Sequence, residues 1–218
     1  MARIIDLTLT LRPTMPGVEL APKLTFERDG WNGSTLTLYS HCGTHMDSPK
    51  HFEASQQTID QMPLEQCMGP AWVVRLPGLP ERALLTVEHL GEVADRFERG
   101  DSLLLHTGWS GRIDEPSYRD GLPRISDELA RWCVARGVTV LGVEPPSVAD
   151  VNDLAEVTRV HQTLLGGGVV IVEGLTNLEA IRTDKVYFVA LPLKPLEGDG
   201  APARAIAFEG SPPWGEVS

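Results

Sequence analysis

The stretch Ser40-His41-Cys42-Gly43-Thr44-His45-Met46-Asp47-Ser48-Pro49-Lys50-His51-Phe52 concentrates polar chemistry as no other part of the chain does. Three of the six histidines and one aspartate fall within it, spaced His41-x3-His45-x-Asp47-x3-His51. A helix would place His41 and His45 on one face but turn Asp47 about 240° away from His41, and Gly43 and Pro49 both oppose a helix. In an extended chain, positions 41, 45, 47 and 51 share one face. A straight strand would still hold residues 41 and 47 roughly 20 Å apart, whereas donors to a single ion each sit about 2.0–2.2 Å from it. The chain must therefore bend. Gly43 is the expected hinge, so that a strand running into a tight loop brings four polar tips together. Imidazole with carboxylate suits a divalent ion, zinc first, with manganese or iron at higher coordination. The spacing leaves open whether His51 is a ligand or a free base. Cys42, at an even position, is expected to point away as a buried thiol.

Working outward, Arg3–Thr10 sets Ile5, Leu7 and Leu9 against Ile4, Asp6 and Thr8, which predicts a strand with its odd positions buried. Arg12–Gly17, with two prolines and a glycine, predicts a loop, and Ser34–Ser40, with Leu36 and Leu38 among threonines, a second strand. Further strands are predicted at Ala71–Leu76, Ser102–His106, Val138–Val143, Val169–Glu173, Val186–Leu191 and Ala203–Phe208. Apolar residues at helical spacing, with caps and terminating glycines, predict helices over Thr86–Arg99, Ser126–Arg136 and Asn152–Leu165. This order predicts an α/β fold with a mixed sheet, in a single domain over residues 1–218. Gly166-Gly167-Gly168 follows a helix rather than opening one, so it reads as a turn and not a phosphate cradle. That turn lets the third helix and the next strand pack back to back, so that His161 and Glu173 can meet as further ligands. His89 is expected on an exposed helix face and His106 without ligating partners.

With 19 basic and 30 acidic residues among 218, the net charge of −11 argues against a nucleic-acid surface. No run of about 18 apolar residues predicts a membrane-spanning helix. The opening Met1–Asp6 lacks the apolar stretch of a signal peptide, and three widely spaced cysteines form no disulfide framework, so the cytoplasm is the expected compartment.

The string from His41 to Phe52 resembles the HxGTHxDxPxHF signature of the metal-dependent hydrolases of the cyclase family, to which bacterial kynurenine formamidases and isatin hydrolases belong. The likeness extends along the chain. Ile5-Asp6-Leu7-Thr8 is similar to the family's opening strand, Thr107-Gly108-Trp109 to its TGW segment, and Gly142–Val148 to its G-[IV]-D-x-x-S-[VI]. His161–Leu165 with Val172–Leu178 resembles its HxxLL…xEGLxxL, and Leu191-Pro192-Leu193 and Arg204–Ala207 resemble its closing elements. The resemblance implies a swivelling β/β/α domain built into homodimers or homotetramers. His41, His45 and Asp47 would hold one ion, Asp47 would bridge to a second held by His161 and Glu173, and His51 would transfer protons. Glu144 stands where the family mostly has aspartate, and the loop Met15–Glu19 is short and lacks a tryptophan that kynurenine formamidases carry there. Both departures bear on the acyl group and not on the metal.

The expected activity is hydrolysis of a small-molecule amide by metal-activated water, of the arylformamidase type (N-formylkynurenine to kynurenine and formate). Opening of a cyclic amide or lactone, and a metal-dependent lyase or isomerase, are the alternatives. A purely structural metal protein fits least, since structural zinc sites are closed and usually cysteine-rich.

Overall fold

The computed structural model describes residues 3–210. In chain order the strands are β1 (Arg3–Asp6), β2 (Val18–Leu24), β3 (Gly33–Leu38), β4 (His45–Asp47), β5 (Met68–Arg75), β6 (Leu84–Leu85), β7 (Ser102–His106), β8 (Arg124–Ile125), β9 (Val140–Val143), β10 (Val170–Glu173), β11 (Lys185–Pro192) and β12 (Gly200–Glu209). The helices are α1 (Phe26–Asp29), α2 (Val93–Arg96), α3 (Ser117–Asp120), α4 (Asp127–Arg136) and α5 (Leu154–Gly166). An 8-stranded mixed sheet runs β1-β12-β11-β5-β7-β9-β10-β4, and β4 pairs again with β12, so the sheet closes on itself. The pairs β5–β7, β7–β9 and β9–β10 are parallel, and the remaining pairs of this sheet are antiparallel. Strand β12 is long enough to serve two neighbours along one edge: Gly200–Pro202 pair with β4 and Ile206–Glu209 with β1.

Alternation along the strands separates two cores. Ala71, Val73, Leu104, Val140, Val170, Val172 and Phe188 face one way, toward the enclosed side. Alternate alanines 201, 203, 205 and 207 of β12 join them, and Ala207 lies opposite Phe188, a small residue against a large one. On the other face Trp72, Leu103, Leu105, Leu141 and Ile171 cluster with Leu129 and Cys133 of α4 and with Val160 and Leu164 of α5. Both helices are capped as their sequences predict or nearly so. Ser126 accepts from Leu129 N and Gly137 closes α4 in the left-handed region, while Asp153 accepts from Ala155 N and Glu156 N to start α5.

The helix expected over Thr86–Arg99 does not form as one element. Gly91 (φ 52°, ψ −134°) breaks it into a 3-10 turn at Val87–Leu90 and the four-residue α2. Leu90 and Phe97 are both buried, so two separate turns satisfy the apolar spacing that suggested one helix. His89 is not on an exposed helix face: half-buried, its Nδ1 accepts from Thr86 N at 3.1 Å and completes a capping box. The strand expected near Ser34–Ser40 exists as β3 but pairs only with β2, in a separate two-stranded ribbon whose Leu36 is exposed. Strand β2, with Pro22 inside it, carries too little β-character to be foreseen. The strand expected at Ala203–Phe208 forms within the longer β12, and residues 211–218 lie outside the described residues. No helix among the described residues is long and apolar enough to cross a membrane.

Candidate active site

The pleat of β4 decides where the polar residues go. Met46 is wholly buried within the enclosed core, so its neighbours His45 and Asp47 project from the opposite face. That face carries α5. On β10 the apolar Val170 and Val172 turn inward, which leaves Glu173 on the same outer side as His45 and Asp47. The antiparallel register sets Glu173 opposite His45 and Ile171 opposite Asp47. Gly43, with φ +61°, makes the bend ahead of β4. Its carbonyl accepts from His45 Nδ1 at 2.9 Å, while Thr44 Oγ1 donates to Gly174 O, tying the bend to the end of β10. His51 follows in the 3-10 turn Pro49–Phe52.

The four histidines singled out in the sequence converge with both carboxylates. His41 Nδ1 lies 2.9 Å from Asp47 Oδ1, and His45 Nε2 lies 3.2 Å from Glu173 Oε2. His161 Nε2 lies 3.4 Å from Glu173 Oε1 and 3.7 Å from Asp47 Oδ2. His51 stacks on His41 with ring centroids 3.7 Å apart. Asp47, His45, His161 and Glu173 are all buried, and Asp47 Oδ2 has no hydrogen-bond partner among the described residues. Leaving a buried carboxylate oxygen unpartnered is costly, and a cation between the donors removes that cost.

The electrostatics point the same way. Burial opposes a proton on His41, but Asp47 and Asp199 outweigh it and push its pKa up to about 9. Burial likewise opposes protonation of His45 and His161, and Glu173 and Asp47 overcome it, so both are raised. Burial alone would raise Glu173; His161 and His45 instead hold it well below the usual carboxylate range. Two buried acids therefore draw positive charge into the site, as protons on imidazole or as a divalent ion. His51 goes the other way: burial lowers it, Asp47 partly offsets this, and the neighbouring His41 and His161 add to the lowering.

The donor atoms fall into two groups that share Asp47, and a third, half-buried group joins His41 to His51 and Asp199. His41, His45 and Asp47 offer ligand atoms within 4.8 Å of one another, and so do Asp47, His161 and Glu173. An imidazole and carboxylate set of this kind fits zinc, manganese or iron. The site opens into a cavity of about 610 Å³, within the usual range for small-molecule sites. Its walls include Leu9, Met15, Tyr39, Phe52, Ile113 and Tyr118. Arg12 of the N-terminal loop and Asp114 also line it and are joined by an ion pair of 2.9 Å. Cys42 is buried, with its thiol pKa raised by burial, but it lines this cavity rather than standing apart from it.

Two acidic residues have environments that the sequence did not disclose. Glu144 is wholly buried, and its carboxylate accepts from the backbone N–H groups of Thr107, Gly108 and Trp109 and from the hydroxyls of Thr107 and Ser110. The side chain that is one methylene longer than aspartate thus wraps the turn after β7. His106, expected to lack ligating partners, does lie near Glu144 and Glu179, with ligand atoms within 4.8 Å. Asp199, in the run Gly198-Asp199-Gly200, was not anticipated at all. Its Oδ2 lies 3.1 Å from His41 Nε2 and 3.7 Å from His51 Nδ1. An acid between two glycines was the only local signal for it.

The Cyclase family model matches residues 5–150, a span that contains His41, His45, Asp47 and His51. The chain belongs to the Cyclase family. Among curated relatives, a kynurenine formamidase of Salinibacter ruber is 32% identical over 184 residues, covering 84% of this chain and 82% of the relative. A kynurenine formamidase of Bacillus cereus is 27% identical over 175 residues, covering 80% of this chain and 79% of the relative. In fold, the chain is similar to isatin hydrolase A from Ralstonia solanacearum, with a TM-score of 0.86 at 24% sequence identity over 96% of this chain and 92% of that one. The cyclase-family fold is thus shared nearly end to end.

Proposed function

We propose that this cyclase-family protein is a divalent-metal-dependent hydrolase of amide C–N bonds, of the arylformamidase type, which takes N-formylkynurenine to kynurenine and formate. The observation that carries the reading is the convergence of His41, His45, His161, Glu173 and the half-unpartnered Asp47 at the base of a largely apolar cavity. The kinship with kynurenine formamidases supports the choice of substrate.

In this reading His41, His45 and Asp47 would hold one ion, and Asp47 with His161 and Glu173 a second, zinc in the first place. A divalent ion held there would supply Lewis acidity, with a bound-water pKa of about 7 in place of 15.7. His51 is the proton-transfer residue. It lines the cavity, and its lowered pKa keeps it neutral near pH 7, able to take a proton from water. It then gives that proton to the nitrogen as the C–N bond breaks. Phe52, Tyr39 and Tyr118 supply the surfaces that hold an aryl group and exclude bulk water.

The wider reading is a homodimer or homotetramer of one domain in the cytoplasm, with a small molecule as its partner and neither nucleic acid nor membrane. Exposed Phe26, Trp31 and Leu36 on and beside the β2–β3 ribbon support self-association. Three unpaired cysteines support a reducing compartment. The test is metal analysis of the purified protein together with a panel of formamides, cyclic imides and lactones. Bound zinc with fastest turnover of an aryl formamide is the expected result. Preference for a cyclic amide moves the substrate to the ring-opening alternative, and solvent isotope uptake without hydrolysis points to a lyase or isomerase.

A further inference from the structure

The loop Gly198–Gly200 is pinned against the site more firmly than a surface connection requires. Ser48 Oγ donates to Asp199 O at 2.8 Å, Ser48 N donates to the same oxygen at 3.0 Å, and Gly200 pairs in register with Asp47. A Cβ on Gly200 would lie 2.6 Å from His41 Cε1, so the ring of His41 packs directly on this backbone. The result is a fixed backbone at Asp199, from which the carboxylate reaches His41. His41 consequently has one ring nitrogen facing Asp47 and the other facing Asp199, at 2.9 Å and 3.1 Å. His51, stacked on His41, presents Nδ1 to the same Asp199 oxygen at 3.7 Å.

An imidazole has one nitrogen to protonate and one lone pair to give when neutral, and the partner of one nitrogen sets the role of the other. A carboxylate can only accept. We propose that Asp199 is a positioning residue: by accepting the Nε2 proton of His41 it fixes the tautomer that leaves Nδ1, the nitrogen beside Asp47, to bind the cation. Carboxylate–histidine–metal arrangements of this kind orient the ring and raise its basicity, and losing the outer carboxylate typically weakens metal binding 10–100-fold. The inference rests on reading the cluster as a metal site, and it assigns Asp199 no contact with substrate.

The experiment measures zinc affinity by competition with a chromophoric chelator for the wild type, Asp199→Ala and Asp199→Asn. It is paired with nitrogen-15 NMR of the histidine rings in the zinc-loaded proteins. Asp199→Ala is expected to bind zinc about 10–100-fold more weakly and to lose the slowly exchanging Nε2–H signal of His41. Asp199→Asn, which keeps an acceptor but not the charge, is expected to fall between Ala and the wild type, and circular dichroism should show all three folded. Wild-type affinity in both variants, or a His41 that carries its proton on Nδ1 in the wild type, overturns the inference alone. A wild type that binds none of zinc, manganese and ferrous iron overturns the hydrolase reading and this inference together.

Discussion

His45 Nε2 and Glu173 Oε2 meet at 3.2 Å across the antiparallel pairing of β4 with β10, while the other oxygen of Glu173 faces His161 and accepts from Val148 N at 2.8 Å. One buried carboxylate therefore joins two strands, a helix and the loop after β9. Removing it leaves two buried imidazoles with only the more distant Asp47 as counter-charge and a buried N–H without an acceptor. Breaking a buried charged pair from one side costs about 3–5 kcal/mol. Glu173→Ala is expected to lower the unfolding free energy of the metal-free protein, read from the shift in urea midpoint, by that order and to abolish metal binding. An unchanged midpoint would show that the carboxylate does not hold these elements together.

His51→Ala should separate chemistry from metal binding. His51 lines the cavity and stacks on His41; it stands outside the two ligand groups that share Asp47 but groups with His41 and Asp199, so its role as base or ligand is what the variant decides. Turnover is expected to fall roughly 10²–10⁴-fold with metal content unchanged by elemental analysis. Metal lost in step with activity would make His51 a ligand instead.

The raised histidines set a pH window. His41 is pushed up to about 9 from an ordinary 6.5, and His45 and His161 are raised too, so their protonated forms stabilise the metal-free fold. That contribution is complete below pH 6.5 and is lost as pH rises through about 9. The lowered His51 acts below 6.5, outside this window. The melting temperature of metal-free protein is expected to fall between these limits, while zinc affinity rises over the same range because binding must displace the protons. Zinc affinity flat with pH would contradict the competition.

Gly200→Ala tests packing without removing a polar group. The new Cβ would lie 2.6 Å from His41 Cε1 and 2.8 Å from Met46 O, and the backbone oxygen of a paired strand has little room to yield. Overpacking of this kind costs about 1–3 kcal/mol, and the displaced His41 should weaken zinc binding as seen by chelator competition. A variant with unchanged stability and affinity would mean the ring can move freely.

Much of this arrangement was legible in the sequence because it follows from short-range rules. The odd spacing of His41, His45 and Asp47, the bend at Gly43, and the glycine turn that returns Glu173 to His161 all depend on local periodicity and turn chemistry. Thr86–Arg99 was misread because helical spacing also suits two successive turns that bury Leu90 and Phe97, and Gly91 selects the latter. Asp199 stayed hidden because its link to His41 spans 158 residues and arises only when β12 closes the sheet against β4. The nearness of His106 to Glu144 and Glu179 was hidden because the three come from distant segments.

The most direct measurement strips the protein with a chelator and titrates zinc back while following N-formylkynurenine hydrolysis. Activity is expected to be absent at the start and to rise with bound zinc until the Asp47-centred site is filled. Full activity in the metal-free protein, or zinc bound without turnover of any amide in the panel, would contradict the account.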